Sequence, residues 1–145
     1  MTKQILSAEN IQLNASFNNK EEAIRGTGQI LVDKGYVEPA YIEKMLEREE
    51  LTSTFMGNFV AIPHGTEDAK QEVLTSGLSI VQVPGGVDFG NGNLAKVLIG
   101  IAGKDGEHLE ILSQIAIVCS EEENIEKIVE AKSAEEILSL FDEVV

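Results

Sequence analysis

An excess of 25 acidic over 11 basic residues gives this 145-residue chain a formal charge of −14. That field repels nucleic-acid phosphates and anionic lipid and favours a partner with a basic contact face. Apolar residues make up 43% of the sequence, enough for one domain with a real core. The single cysteine, Cys119, excludes an internal disulfide framework and a thiolate metal cage. No apolar run reaches bilayer length, and the N-terminal "MTKQILSAEN" lacks the apolar core of a signal peptide. A cytoplasmic single domain spanning residues 1–145 is expected.

Residues 8–15 ("AENIQLNA") alternate as a short strand does, with Ile11 and Leu13 on one face. Asn19 stands three positions before Glu22, the spacing of a capping box. Ala23, Ile24, Thr27, Ile30 and Leu31 follow at helical spacing, and Gly35 stops the helix. Pro39 suits the first turn of a second helix, whose apolar face is Ile42, Met45 and Leu46 and which ends past Arg48. Residues 58–63, 76–84 and 95–103 read as strands, the last apolar almost throughout, as in a strand covered on both faces. Residues 106–120 are predicted helical, with Leu109, Leu112, Ile115, Ala116 and Cys119 on one stripe. Ser120 with Glu123 and Ser133 with Glu136 predict capping boxes opening two short helices. Helices bracketing several strands imply an α/β (α+β) fold with one central mixed sheet flanked by helices.

The glycine-rich "PGGVDFGNGN" (84–93) contains no GK[ST] and opens no helix. It is neither a P-loop nor a dinucleotide fingerprint, and a turn between two strands accounts for it. With neither HExxH nor a compact Asp/Glu/His cluster, no metal or other cofactor is expected. The run Glu121–Glu123 reads as a solvated helix start, and Cys119 as a core residue.

His64 stands out in "FVAIPHGTED" because it follows an apolar strand, the end at which open α/β sheets present functional groups. Pro63 stiffens the approach, and Gly65 removes a side chain expected to crowd the imidazole. By itself this histidine is either a nucleophile or an ordinary turn residue. His108, just inside the predicted helix after the 95–103 strand, stands at a second strand end. Arg48, near the end of the second helix, supplies either a fork for a phosphoryl or carboxylate group or a favourable cation at a helix C-terminus. One nucleophile, one auxiliary imidazole and one guanidinium, without nucleotide loop or metal ligands, point to phosphoryl transfer between proteins.

The stretch "EELTSTFMGNFVAIPHGT" resembles the phosphorylation-site signature of the mannitol/fructose class of enzyme IIA. These are phosphocarrier domains of the bacterial phosphoenolpyruvate-dependent sugar phosphotransferase system. The matching positions are Glu49, Gly57, Val60–Ala61–Ile62 and Pro63–His64–Gly65, and the similarity extends over nearly the whole chain. "MLEREELTST", "VPGGVDFG" and "VLIGIAGKDGEH" are more similar to the mannitol branch than to the fructose or nitrogen-regulatory branches.

The resemblance implies that His64 becomes a phosphohistidine, carrying the phosphoryl on Nε2, with Arg48 and His108 as the basic residues around it. It implies the carrier protein HPr as donor and a cysteine of a mannitol IIB domain as acceptor. The IIB would belong to a separate IICB transporter polypeptide, so that this chain acts as a free-standing component. Access by two partner proteins in turn calls for an exposed His64 in a shallow site. Phe55, Met56, Phe59 and Phe89 are candidates either for its apolar rim or for core. A regulatory IIA-like phosphoacceptor acting by binding, and an interaction domain in which His64 is only a turn residue, remain open at this point.

Overall fold

In the computed structural model, which describes residues 6–104 and 107–141, the two long apolar segments pair antiparallel to form the middle of one sheet. They are β4 (Gly77–Asp88) and β5 (Leu94–Ala102), and their register sets Ile80 opposite Ile99 and Val81 opposite Leu98. On one side β1 (Ile11–Gln12) runs parallel to β4. On the other, β3 (Val60–Ala61) runs parallel to β5, and β2 (Phe55–Gly57) closes the edge antiparallel to β3. The order β1-β4-β5-β3-β2 is an open mixed sheet of five strands among the described residues.

Strand alternation divides the core in two. Val81, Val83, Leu98 and Ala102 pack with Ile24, Leu31 and Met45 of α1 (Lys20–Asp33) and α2 (Tyr41–Leu51). Leu78, Ile80, Val97, Ile99 and Ile101 pack on the other face, against α3 (Glu107–Cys119), α4 (Glu122–Glu130) and α5 (Ala134–Leu138). Both faces of the sheet are therefore covered, which is why residues 95–102 are apolar with so few interruptions. The α/β sandwich with a central mixed sheet matches the expectation.

Two buried polar residues of β4 position the helices. Ser79 Oγ donates to Thr27 O of α1 at 2.8 Å. The helix lies so close there that a Cβ on Gly100 would meet Ser79 Oγ at 2.5 Å and Thr27 Cγ2 at 2.8 Å. On the opposite face Gln82 Nε2 donates to Ile128 O at 2.8 Å and Ala131 O at 2.9 Å, satisfying carbonyls at the end of α4. Its Oε1 accepts from Asn14 N at 2.9 Å.

Several local expectations hold. Asn19 caps α1 by accepting from Glu22 N, although the Glu22 carboxylate reaches back to Asn18 N instead of the cap residue. Gly35 takes φ +78° just beyond α1, and Ser133 with Glu136 forms a complete capping box. Glycines 86, 90 and 92 take positive φ in the bulge of β4 and the turn to β5.

Others are corrected. Ser120 does not cap α4: its hydroxyl donates to Ile117 O at the end of α3, and extended Glu121 precedes α4 without a side-chain cap. The buried stripe of α3 is Ile111, Ile115 and Cys119, whereas Leu109 is 73% exposed. The strand expected over 8–15 shrinks to Ile11–Gln12 behind a 3-10 turn at Ala8–Asn10. The strand expected over 58–63 shrinks to Val60–Ala61, an isolated pairing follows beyond it at His64, and the preceding strand β2 was missed. No helix among the described residues is long and apolar enough to cross a membrane.

Burial pushes the Cys119 thiol up from 9.0 to about 12 and the Tyr41 phenol from 10.0 to about 12. Each group is held protonated by the fold, so its contribution is complete below its unfolded value and is lost as pH rises through the folded one. Urea unfolding at a series of pH values is expected to show stability falling from pH 9 towards 12. In Cys119→Ala the fall should begin nearer pH 10, where Tyr41 takes over; an unmoved onset would contradict this account of burial.

Candidate functional site

The sheet topology brings β3, β5 and the start of β2, next to which the three basic residues singled out in the sequence lie along the chain, to one end of the sheet. β3 and β5 are parallel, so both leave the sheet at the same end, with His64 three residues beyond β3 and His108 six beyond β5. β2 is antiparallel to β3, so the segment joining the end of α2 to the start of β2 lies at that end too. A backbone bond from Ile62 N to Thr54 O, 3.0 Å, fixes it there. Arg48 stands in the last turn of α2, just ahead of this segment. His108 lies in the first turn of α3, and its side chain falls outside the described residues.

His64 continues β3 beyond Ala61 by a further pairing with Ile101 of β5. Ile101 N donates to Pro63 O at 3.0 Å. The His64 ring nitrogen Nδ1 lies 2.7 Å from Ile62 O. A carbonyl oxygen only accepts, so Nδ1 carries the hydrogen, and in the neutral ring the lone pair is on Nε2. The residue is 8% exposed, more enclosed than the expected open site, with the imidazole held by backbone of its own turn.

The turn after His64 is fixed from α2. Gly65 N donates to Tyr41 Oη at 2.9 Å, and Tyr41 Oη donates to Ile101 O at 2.8 Å. A Cβ on Gly65 would stand 2.6 Å from Tyr41 Cε1. The glycine thus admits the tyrosine ring; clearing space for the imidazole, the role expected from sequence, is not what its geometry shows. Beyond it Thr66 Oγ1 donates to Asp68, and this bond, followed by Lys44, holds the Asp68 carboxyl below the usual carboxylate range. Lys44 Nζ is 3.6 Å from Asp68 Oδ2.

Arg48 Nη1 donates to Thr52 O at 2.7 Å, the helix-terminal arrangement that was one of its two sequence readings. Tyr41, Lys44 and Arg48 recur at helical spacing along one side of α2, and the first two meet the 65–68 segment. Arg48 therefore continues a stripe that already follows the turn bearing His64.

Sequence reasoning quoted Glu49 only as part of a motif, yet it organises the other flank. The residue is 5% exposed, and its Oε1 accepts from Thr54 N at 2.9 Å and Thr54 Oγ1 at 2.6 Å. Thr54 O receives Ile62 N, and Ile62 O receives His64 Nδ1. A buried carboxylate thus sets the imidazole through two intervening residues. Lys20 Nζ lies 3.6 Å from Glu49 Oε2 and offsets its charge. The signal available in sequence was Glu49 on the buried Tyr41–Met45–Glu49 stripe, an acid at an apolar position.

Of the rim candidates, Phe89 is core at 2% exposed, while Met56 and Phe59 are exposed at 39% and 47%. Phe59 has φ +66° and carries Lys96 Nζ 4.9 Å above its ring. It lines a cleft of about 360 Å³ with Asn58, Ile125 and Val129, at the end of β3 away from His64. No group of three or more potential metal-ligating side chains occurs among the described residues.

Residues 4–144 match the family described as "Phosphoenolpyruvate-dependent sugar phosphotransferase system, EIIA 2". The chain is 67% identical over 144 residues to the mannitol-specific phosphotransferase enzyme IIA component of Geobacillus stearothermophilus, covering 99% of both chains. It superposes on the crystal structure of IIA mannitol from Escherichia coli with a TM-score of 0.87 at 43% identity, covering 93% of this chain and 97% of that one. A similar match, TM-score 0.86 at 40% identity, covers 93% of this chain and 95% of the IIA chain in an Escherichia coli complex of enzyme IIA mannitol with phosphorylated enzyme IIB mannitol.

Removing the Glu49 carboxylate leaves Thr54 N–H and Oγ–H buried without their acceptor, a loss of about 1–3 kcal/mol. Urea unfolding of Glu49→Ala is expected to show a loss of that size, and an unchanged midpoint would refute the bracing role.

Proposed function

The chain belongs to the EIIA type 2 family of the phosphoenolpyruvate-dependent sugar phosphotransferase system, and on that premise we propose that His64 is its phosphoacceptor, through Nε2. The observation that carries this reading is the 2.7 Å contact between His64 Nδ1 and Ile62 O. It commits the ring hydrogen to Nδ1 and leaves the nucleophilic electron pair on Nε2.

In the forward step the Nε2 lone pair attacks the phosphorus of a phosphohistidine on HPr. The donor's P–N bond breaks, and its electron pair stays on the donor imidazole. The His64 ring becomes cationic as the new P–N bond forms, and Ile62 O faces the Nδ1–H where part of that charge resides. A neutral carbonyl dipole there stabilises the product ring without taking its proton. In the onward step a cysteine thiolate of the IIB domain attacks phosphorus, and the electron pair of the breaking P–N bond returns to Nε2, restoring the neutral imidazole.

Arg48 and His108 act on the phosphoryl oxygens in this proposal. This reading is supported by strand direction: β2, which follows α2, starts at the end where β3 delivers His64, and β5, which precedes α3, ends there. Transfer of a phosphoryl group leaves negative charge on three equatorial oxygens, which a guanidinium and an imidazole offset. His108 takes no phosphoryl group of its own.

Mannitol enters through the relatives. The 67% identical protein is named mannitol-specific, and one matching solved chain is held in a complex with phosphorylated IIB mannitol. The proposed acceptor is therefore the mannitol IIB of a separate IICB transporter, and the relay drives coupled uptake and phosphorylation of the sugar. The carrier works in the cytoplasm, where both protein partners meet it.

Incubation with phosphoenolpyruvate, enzyme I and HPr should add one acid-labile, base-stable phosphate, absent from His64→Ala. The ³¹P and ¹⁵N spectra of the product should identify phosphorylation at Nε2. A labelled His64→Ala protein would sink the assignment. In a second assay the phosphorylated chain should label a mannitol IIB faster than a fructose IIB; a reversed preference would reject mannitol while leaving the phosphocarrier reading intact.

A further inference from the structure

We infer that Tyr41 is a positioning residue for transfer at His64, its hydroxyl completing the strand ladder that holds the histidine at the sheet edge. This deepens the proposed function and rests on His64 being the phosphoacceptor.

Parallel pairing of His64 with Ile101 calls for two backbone bonds, one on each side of the histidine. The first is present, from Ile101 N to Pro63 O at 3.0 Å. In a regular parallel ladder the second runs from Gly65 N to Ile101 O. Here the Tyr41 hydroxyl bonds to both of those atoms, accepting from Gly65 N at 2.9 Å and donating to Ile101 O at 2.8 Å. A side chain from α2 is thus spliced into the ladder at the residue following the nucleophile.

The geometry gives this hydroxyl a task that packing alone cannot perform. Both peptide flanks of His64 are referred to one residue, Ile101, and the phenol joins the second flank to it. The bridge lets the chain depart from β5 after Pro63 while keeping its direction fixed. Tyr41 is 2% exposed, and its ring lies so near the turn that a Cβ on Gly65 would come within 2.6 Å of Cε1. Burial keeps the phenol protonated throughout the neutral range, so it is both donor and acceptor there.

Without the hydroxyl, Gly65 N–H and Ile101 O lose the group that joins them, and the turn loses its tie to α2 at the residue after His64. The imidazole then samples orientations in which Nδ1 leaves Ile62 O and Nε2 is misdirected. Misplacement of a reacting atom by an ångström is enough to cost on the order of 10²-fold in rate. Loss of one anchor among several should cost less, roughly tenfold.

Tyr41→Phe keeps the ring and removes only the bridging oxygen. Ser79→Ala is the control, because it removes another buried hydroxyl bond, from β4 to Thr27 O, that does not involve the 63–65 turn. Two quantities are compared in the full-length proteins: the initial rate of labelling by phospho-HPr, and the ¹⁵N shifts that report the His64 tautomer. Tyr41→Phe should be labelled roughly tenfold more slowly but to the same final extent, with a reduced Nδ1–H signature. Ser79→Ala should match the wild type in both. Wild-type rate in Tyr41→Phe, or an unchanged tautomer signature, overturns the inference, as does equal slowing in Ser79→Ala. If the wild type takes no phosphate, the phosphoacceptor reading fails and the catalytic inference fails with it. An altered tautomer in Tyr41→Phe would then show that the hydroxyl still orients the ring.

Discussion

The short parallel pairing of β3 with β5 is the constraint on which the rest of the site depends. Only Val60 and Ala61 form the regular strand, opposite Val97 and Leu98, yet the pairing continues past Pro63 to set His64 against Ile101. β5 is buried on both faces and cannot move without disturbing both halves of the core. A residue registered to it inherits that rigidity. Because the two strands are parallel, β5 ends at the same end of the sheet as β3, and α3, with His108 in its first turn, follows β5 along the chain.

Rigidity alone would leave the imidazole free to rotate, and polar contacts on either side limit that freedom. Glu49 holds Thr54, Thr54 holds Ile62, and the Ile62 carbonyl takes the ring hydrogen. Tyr41 meets the turn from the other flank. Both residues come from α2, eight positions apart, on the stripe that also buries Met45. One helix face thus supplies core packing and the groups that orient the histidine. Burying a carboxylate beside the turn is costly: the Thr54 bonds satisfy Oε1, while Oε2, without a hydrogen-bond partner among the described residues, has only Lys20 Nζ 3.6 Å away to offset its charge.

Much of the scaffold was legible in the sequence because it follows from local periodicity. The helical spacing of Ala23, Ile24, Thr27 and Leu31, the stop at Gly35 and the Ser133–Glu136 box are decided within a few residues. Readings failed where two local signals compete or where only a distant partner decides. Ser120 satisfies the spacing of a capping box, but its hydroxyl is already bonded to Ile117 O of the preceding helix. Leu109 fits the apolar stripe of α3 by count, while the stripe that meets the sheet is Ile111, Ile115 and Cys119. β2 was missed because three residues, ending in a glycine, carry too little alternation to announce a strand.

The sequence by itself determined the components: an apolar strand ending in Pro63–His64–Gly65, a basic residue closing the second helix, and a second histidine opening another. Its signature also pointed to the family to which the chain belongs. Tertiary structure decided how the components are held. The bond of Nδ1 to Ile62 O, which leaves the electron pair of the neutral ring on Nε2, depends on the curl of the turn. The purpose of Gly65 depends on the Tyr41 ring, 24 residues away in sequence. The importance of Glu49 depends on Thr54 folding back over it. Periodicity records which face of an element is buried, but a hydrogen bond between elements depends on two atoms arriving within 3 Å of each other. That distance is set by the packing of the whole sheet.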